Sequence, residues 1–413
     1  MYTRRSFLKQ SIATTGLIAW GLNAPRFLTR TAWATPPTGK PGAKDTILVV
    51  VQLTGGNDGL NTVVPFADEG YGKLRKELKL PTEQLKKIND QLGLHPSLDG
   101  LAGLLQDNAL CIVQGVGYPN PDESHFRSMD IWQGASQEKT ISEGWLGKAL
   151  VKLTNAPAFH CAADNEESPL AFDGAPAKVP SLTRLEDFQL KTLASSGPDK
   201  SAQRRVIEEA AKLGGGKKPG LLDFVQQTAV NTYASSKRLQ ELAKNYEPKT
   251  PYPATGLANR LKLAAQLIEA DLGARVYYVT IDGFDTHANQ LQTHANLLRE
   301  VSDAMTAFFK DLSGRGQRDR VLMMTFSEFG RRARENGSKG TDHGSAAPMF
   351  LVGGKVKSGV VGEHPSLTDI PMNKLKHHTD FRQVYAAVLE QWLGVPAKDV
   401  LGGDYKAVQV FKA

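Results

Sequence analysis

Four apolar runs, Thr46–Leu53, Ala109–Gly115, Arg275–Ile281 and Val321–Phe326, are rich in Val, Ile, Leu or Tyr and read as buried strands. A fifth short run, Met349–Val352, ends in Gly353-Gly354. Helical patterns lie between them. In Gln290–Leu312 the apolar positions Leu291, Leu298, Val301, Met305, Phe308 and Leu312 recur at three- and four-residue steps, which marks an amphipathic helix. Leu261–Leu272 and Phe381–Leu393 carry the same pattern. Buried strands alternating with helices imply a layered α/β fold with a mainly parallel sheet. The stretch from Pro169 to Pro253 differs. Its Ser-Ser-Gly-Pro, Gly-Gly-Gly-Lys-Lys-Pro and Pro-Lys-Thr-Pro-Tyr-Pro segments are loop punctuation between polar helices, so residues 169–253 read as a helical insertion.

The first 34 residues read as an export signal. Thr3-Arg4-Arg5-Ser6-Phe7-Leu8-Lys9 is a twin-arginine box, Ile12 to Leu22 is mostly apolar, and Ala32-Trp33-Ala34 is a cleavage pattern that leaves Thr35 as the mature N-terminus. The apolar run is too short to span a bilayer, which takes about 20 residues. The implied partner is the twin-arginine translocase, and the implied location is the periplasm or the extracellular space. The whole chain carries a formal charge of +7, but Arg4, Arg5, Lys9, Arg26 and Arg30 lie in the signal, leaving +2 on the rest. With no basic stripe interleaved with aromatics, nucleic acid is not an expected partner. No later apolar stretch is long enough to span a membrane. Cys111 and Cys161 both sit in apolar stretches. A bridge and two independent buried thiols are equally compatible with their spacing.

Ligands of open α/β sheets bind beyond the carboxyl ends of the strands. The segments there are rich in donors. The first strand is followed by Gly55-Gly56-Asn57-Asp58-Gly59, the second by Asp122-Glu123-Ser124-His125-Phe126-Arg127-Ser128, the third by Asp282-Gly283-Phe284-Asp285-Thr286-His287, and the fourth by Ser327-Glu328-Phe329-Gly330-Arg331. Gly340-Thr341-Asp342-His343-Gly344 precedes the fifth. Singly, each could be a turn. Together, hard carboxylates mixed with imidazoles suit zinc or manganese. Carboxylates from several strands could hold two ions about 3.5–4 Å apart, a clamp for displacement at phosphorus or sulfur.

These segments, with Ser124-His125-Phe126-Arg127-Ser128-Met129-Asp130-Ile131-Trp132-Gln133 and Asp380-Phe381-Arg382-Gln383-Val384-Tyr385-Ala386, resemble the family called domain of unknown function 1501. That family is similar to the alkaline-phosphatase and sulfatase superfamily. The resemblance implies one large domain over 35–413, a big sheet between helical layers, and a divalent-metal site of one or two ions at the strand ends. Asp58 matches the first-strand metal aspartate. Ser124 stands where the nucleophile is kept, and Arg127, one turn on, would clamp an oxyanion. Asp285 and His287 resemble the metal pair, with Asp282 as the alternative to Asp285. Glu328 falls where relatives carry Asp-His, and Phe329 leaves one imidazole missing. His343 resembles the late histidine ligand, with Asp342 beside it as ligand or support. The formylglycine sulfatase pattern is absent at 124–128.

Other residues read as structural. His294 lies on the apolar face of its helix and reads as packed. His377 and His378 precede Thr379, a helix N-cap candidate, and read as exposed. His95-Pro96 reads as a turn, and His160 is assigned nothing. Ser128 is the rival hydroxyl to Ser124. The reading that follows is an exported, metal-dependent hydrolase of phosphate or related small-molecule esters. The alternatives are a non-catalytic binding or assembly protein with a degraded site, and a structural protein whose polar clusters cap strands.

Overall fold

A computed structural model describes residues 46–153, 156–185, 241 and 245–412. The signal segment at 1–34 and most of the expected insertion, at 186–240 and 242–244, lie outside the described residues.

The strands are β1 (Ile47–Leu53), β2 (Val63–Val64), β3 (Lys86–Lys87), β4 (Gly93–Leu94), β5 (Leu110–Gly117), β6 (Ala158–Cys161), β7 (Ser181–Leu182), β8 (Val276–Ile281), β9 (Val321–Phe326), β10 (Ala347–Val352), β11 (Gly359–Val361) and β12 (Thr379–Asp380). The main helices are α1 (Glu69–Leu74), α2 (Asp99–Gln106), α3 (His125–Gly134), α4 (Trp145–Lys152), α5 (Gly256–Glu269), α6 (Gln290–Ser313) and α7 (Phe381–Ala387). One large sheet runs in the order β11-β5-β10-β9-β1-β8-β6-β7, with β12 also paired to β5. A small sheet, β2-β4-β3, stands apart.

β1 shows why this sheet is central. All seven of its residues are buried. Ile47, Val49, Val51 and Leu53 enter a core shared with α2, α5 and α6. Leu48 and Val50 point the other way, into a core with α3, α4 and α7. Alternate side chains leave a strand on opposite faces, so a run apolar at every position needs helices on both. Each buried Val, Leu or Ile contributes roughly 1.5–3 kcal/mol. A third cluster, with Leu60, Val64, Tyr71, Leu74, Ala333 and Ala346, packs where β1 hands over to the small sheet.

The five sequence runs are all strands, and the sheet is mostly parallel. Its exception is β10, antiparallel to both β5 and β9. The start of β10 therefore lies at the same edge as the ends of β1, β5, β8 and β9. Hydrophobicity does not encode strand direction, so the sequence could not show this. The described start of the 169–253 segment is not helical throughout, since it holds the edge strand β7. Helix α7 is capped by Asp380, one residue later than the Thr379 expectation, in a capping box with Gln383. Cys111 and Cys161 are buried free thiols. They belong to cores on opposite faces of the sheet, and burial pushes the Cys111 thiol up to about 12. No helix among the described residues is long and apolar enough to cross a membrane.

Candidate metal centre

Three imidazoles and one carboxylate converge at the carboxyl edge of the sheet. His287 Nε2 and His343 Nε2 lie 3.0 and 3.1 Å from Asp285 Oδ1, and 2.9 Å from each other. His125 Nε2 lies 3.5 Å from Asp285 Oδ2. It is buried and has no hydrogen-bond partner among the described residues. His125, Asp285 and His343 form a group able to hold a metal ion. Asp285 and His287 come from the loop after β8, His343 from the lead into β10, and His125 from the first turn of α3.

The opposite ring nitrogens explain the orientation. His343 Nδ1 lies 2.8 Å from the Glu123 carbonyl oxygen. A carbonyl only accepts, so His343 Nδ1 carries a proton, and Nε2 is the ring nitrogen turned to the cluster. His125 Nδ1 is 2.8 Å from Glu328 Oε1. His287 Nδ1 is 3.4 Å from Asp342 Oδ1. Each ring is thus held from behind by an oxygen, the arrangement that aims metal-binding imidazoles. Acceptor atoms 2.9–3.1 Å apart repel one another unless a proton or cation lies among them. Nitrogen and oxygen ligands about 2.0–2.2 Å from one ion stand roughly 3 Å apart. His125, Asp285 and His343 are therefore the set that could hold one divalent cation, with His287 beside them.

The loops are locked from below by Arg331, whose side chain is fully buried. Its guanidinium donates to Gly56 O at 2.7 Å, to Thr341 O at 2.8 Å, to Phe284 O at 3.0 Å and to Gly55 O. It also reaches Asp285 Oδ1 at 2.6 Å. Burial works against the charge of Asp285, but Arg331 and the neighbouring imidazoles outweigh it and hold the carboxyl below its usual range. Close approach of these loops needs glycine. Gly55 has φ +116°, and a Cβ there would meet Asp285 N at 2.4 Å. At Gly340 a Cβ would meet the His287 carbonyl carbon at 2.2 Å.

The sequence-derived candidates divide in two. Asp285, His287 and His343 come together. Asp285 is the aspartate in the cluster; Asp282 is exposed and outside the metal-binding group. Asp342 supports His287 from behind. Glu328 is fully buried and faces the cluster only through His125, its oxygens accepting from Gly55 N at 2.8 Å and lying 3.2 Å from Ser327 Oγ. It thus stands behind His125 and outside the metal-capable group. Asp58 lies apart, fully buried in a two-point ion pair with Arg75 at 2.5 and 2.8 Å. Ser124 is exposed and caps α3, between Glu123 and His125. Arg127 turns to the far end of α3, where its guanidinium donates to Gln137 O at 2.9 Å and Glu138 O at 2.5 Å. The rival hydroxyl of Ser128 is buried, donating to Glu328 O at 2.5 Å and lying 2.7 Å from Tyr118 Oη.

His125 was missed. Its signal was present: an imidazole at a helix start beside Ser124, in a site where Phe329 leaves an imidazole unaccounted for. The His125 ring lies 4.9 Å from that of Phe329, so the ring arrives from another strand end. The discounted histidines behave as packing groups, with two exceptions in exposure. His294 is buried, its Nε2 2.9 Å from Asn57 Oδ1 and its pKa pushed down by burial to about 4. His95 is pushed down to about 3 by burial, and its Nδ1 accepts from Ser97 N. His160 is buried beside Ser181. His378 is exposed, but His377 is only half-exposed and its pKa is lowered by burial.

Among solved structures, the chain is similar to the lipoteichoic acid synthase LtaP from Listeria monocytogenes, at 10% identity and a TM-score of 0.40, covering 92% of this chain and 81% of that one. It is similar to the zinc complex of the C-terminal periplasmic domain of EcEptC from Escherichia coli, at 10% identity, a TM-score of 0.36, and 77% and 74% coverage. A protein in the alkaline phosphatase superfamily from Vibrio parahaemolyticus matches at 10% identity and a TM-score of 0.34, over 84% of this chain and 73% of that one. No curated protein matches. The family model described as protein of unknown function (DUF1501) matches residues 45–399, and the chain belongs to that family.

Proposed function

We propose that this chain is an exported metal-dependent hydrolase of phosphate or related esters, its ion held by His125, Asp285 and His343, with His287 beside them. The observation that carries the reading is the convergence of three Nε2 atoms on one carboxylate, each ring held from behind through Nδ1. A mixed imidazole and carboxylate set suits zinc or manganese. When bound, such an ion supplies Lewis acidity toward an ester oxygen. The chain's own residues do the rest. Glu328, Glu123 and Asp342 hold the imidazoles in place. Ser124 offers an exposed hydroxyl next to a ligand, while that of Ser128 is engaged in the fold. Ser124 is therefore the nucleophile in this reading.

In the folded chain loaded with zinc or manganese, Ser124→Ala is expected to abolish hydrolysis of a generic phosphomonoester or phosphodiester while leaving the metal content unchanged. Turnover at the wild-type rate would remove Ser124 from the reaction. A second reading, a binding or assembly protein, draws support from Arg127, whose guanidinium is engaged by two carbonyls instead of facing the cluster. A stoichiometric ion with no hydrolysis of any ester would favour it.

The twin-arginine box at Thr3–Lys9 supports export by the twin-arginine translocase. Replacing Arg4 and Arg5 with lysine is expected to leave the precursor in the cytoplasm, as read by cell fractionation. Normal export of that variant would exclude the route.

A further inference from the structure

The geometry points to Arg75 as the stand-in for a second cation, so that this site takes one divalent ion and not two. The inference rests on the metal centre proposed above and fixes its stoichiometry.

Asp58 leaves the end of β1 at the same sheet edge as Asp285 leaves β8, and the two strands are neighbours. A carboxylate there could serve a second ion, but both of its oxygens are already engaged. Arg75 Nη1 reaches Asp58 Oδ2 at 2.5 Å and Nη2 reaches Oδ1 at 2.8 Å. The Gln290 side-chain amide also donates to Oδ2. Both charged side chains are fully buried.

The guanidinium is itself fixed. Arg75 Nε donates to Ala333 O at 2.7 Å and Nη2 to Arg332 O at 3.1 Å. Its backbone closes the last turn of α1, donating to Tyr71 O. Such a fork, held at both ends, does not swing aside for an incoming ion.

A second buried guanidinium stands nearby. Arg331 bonds to Gly55 O and Gly56 O, just before Asp58, and to Asp285 Oδ1. A second divalent ion would enter beside two fixed positive charges, in a region where Coulomb repulsion is weakly screened. Asp58 and Asp285 each already have an arginine. Of the two, Asp285, which is partly exposed and has Oδ2 directed toward His125, keeps an oxygen for a metal.

The test is a metal count on the folded full chain. The protein is loaded with zinc or manganese, freed of excess ion, and analysed for metal per chain. Wild type is expected to hold one ion. Asp58→Asn is expected to keep that ion and to melt at a lower temperature, whereas Asp285→Asn loses it. Should Asp58→Asn fail to fold, the Asp58→Asn/Arg75→Gln double variant removes both charges together and is expected to hold one ion. Two ions in wild type, or loss of an ion from a folded Asp58 variant, would overturn the inference while leaving the metal centre standing. No ion in wild type would overturn the metal centre itself, and this inference with it.

Discussion

His343→Ala is expected to lower the chain's affinity for zinc by about 100-fold or more. The substitution removes one Nε2 from the cluster, and with it the contact at 2.9 Å to His287 and that at 3.1 Å to Asp285. Loss of a group that merely orients a ligand costs about 10–100-fold in metal affinity, so loss of a ligand should exceed that range. Glu328→Gln provides the comparison. It reaches the cluster through His125 Nδ1, and its expected cost is about 10–100-fold. Competition titration against a chromophoric chelator reads both. His343 is partly exposed, so metal-free His343→Ala should unfold within about 1 kcal/mol of metal-free wild type. An unchanged affinity in this variant would show that the imidazoles converge for some reason other than a metal.

A different measurement, urea unfolding, should register Asp58→Ala as a loss of about 3–5 kcal/mol. The reason is the partner left behind. Arg75 is fully buried, and without Asp58 its charge has no counter-ion there. Removing both charges in Asp58→Leu/Arg75→Met should recover much of the loss, since a buried pair is often replaceable by apolar groups of similar volume. A double variant no more stable than Asp58→Ala would show that the pair does more than cancel itself. The pH dependence has a definite sign. Burial raises the Asp58 pKa, but Arg75 more than offsets this, and the folded value lies below 3.8. The unfolded chain then binds the proton more readily. Stability from the pair is complete above the ordinary aspartate range and is lost as pH falls through the lower, folded value.

The buried strands were readable because burial on both faces leaves an unbroken apolar run. Thr46–Leu53 and Val321–Phe326 carry that signal almost to the residue, becoming Ile47–Leu53 and Val321–Phe326. The amphipathic period of 290–312 likewise marks α6, Gln290–Ser313. Short strands such as Ala158–Cys161 and Ser181–Leu182 were not readable. Two to four residues carry no period, and they become strands only because β8 offers an edge to β6 and β6 in turn offers one to β7.

The site follows the same division. Asp285 and His287 could be singled out from sequence because glycine-bearing segments at the ends of parallel strands have one place to go, the carboxyl edge of the sheet; His343, before an antiparallel strand, was singled out by the family resemblance. The part played by each polar group could not. Asp58 and Glu328 carry the same functional group as Asp285, yet one faces Arg75, one stands behind His125 at Nδ1, and Asp285 meets the Nε2 atoms of His287 and His343. Those partners lie 17 and 203 positions away in the chain. Local pattern determines which stretches are strand, helix or loop, because backbone period and side-chain burial are properties of neighbouring residues. Whether a carboxylate meets a guanidinium, an imidazole or a metal depends on which loops the packed sheet brings side by side, and only the tertiary structure decided that.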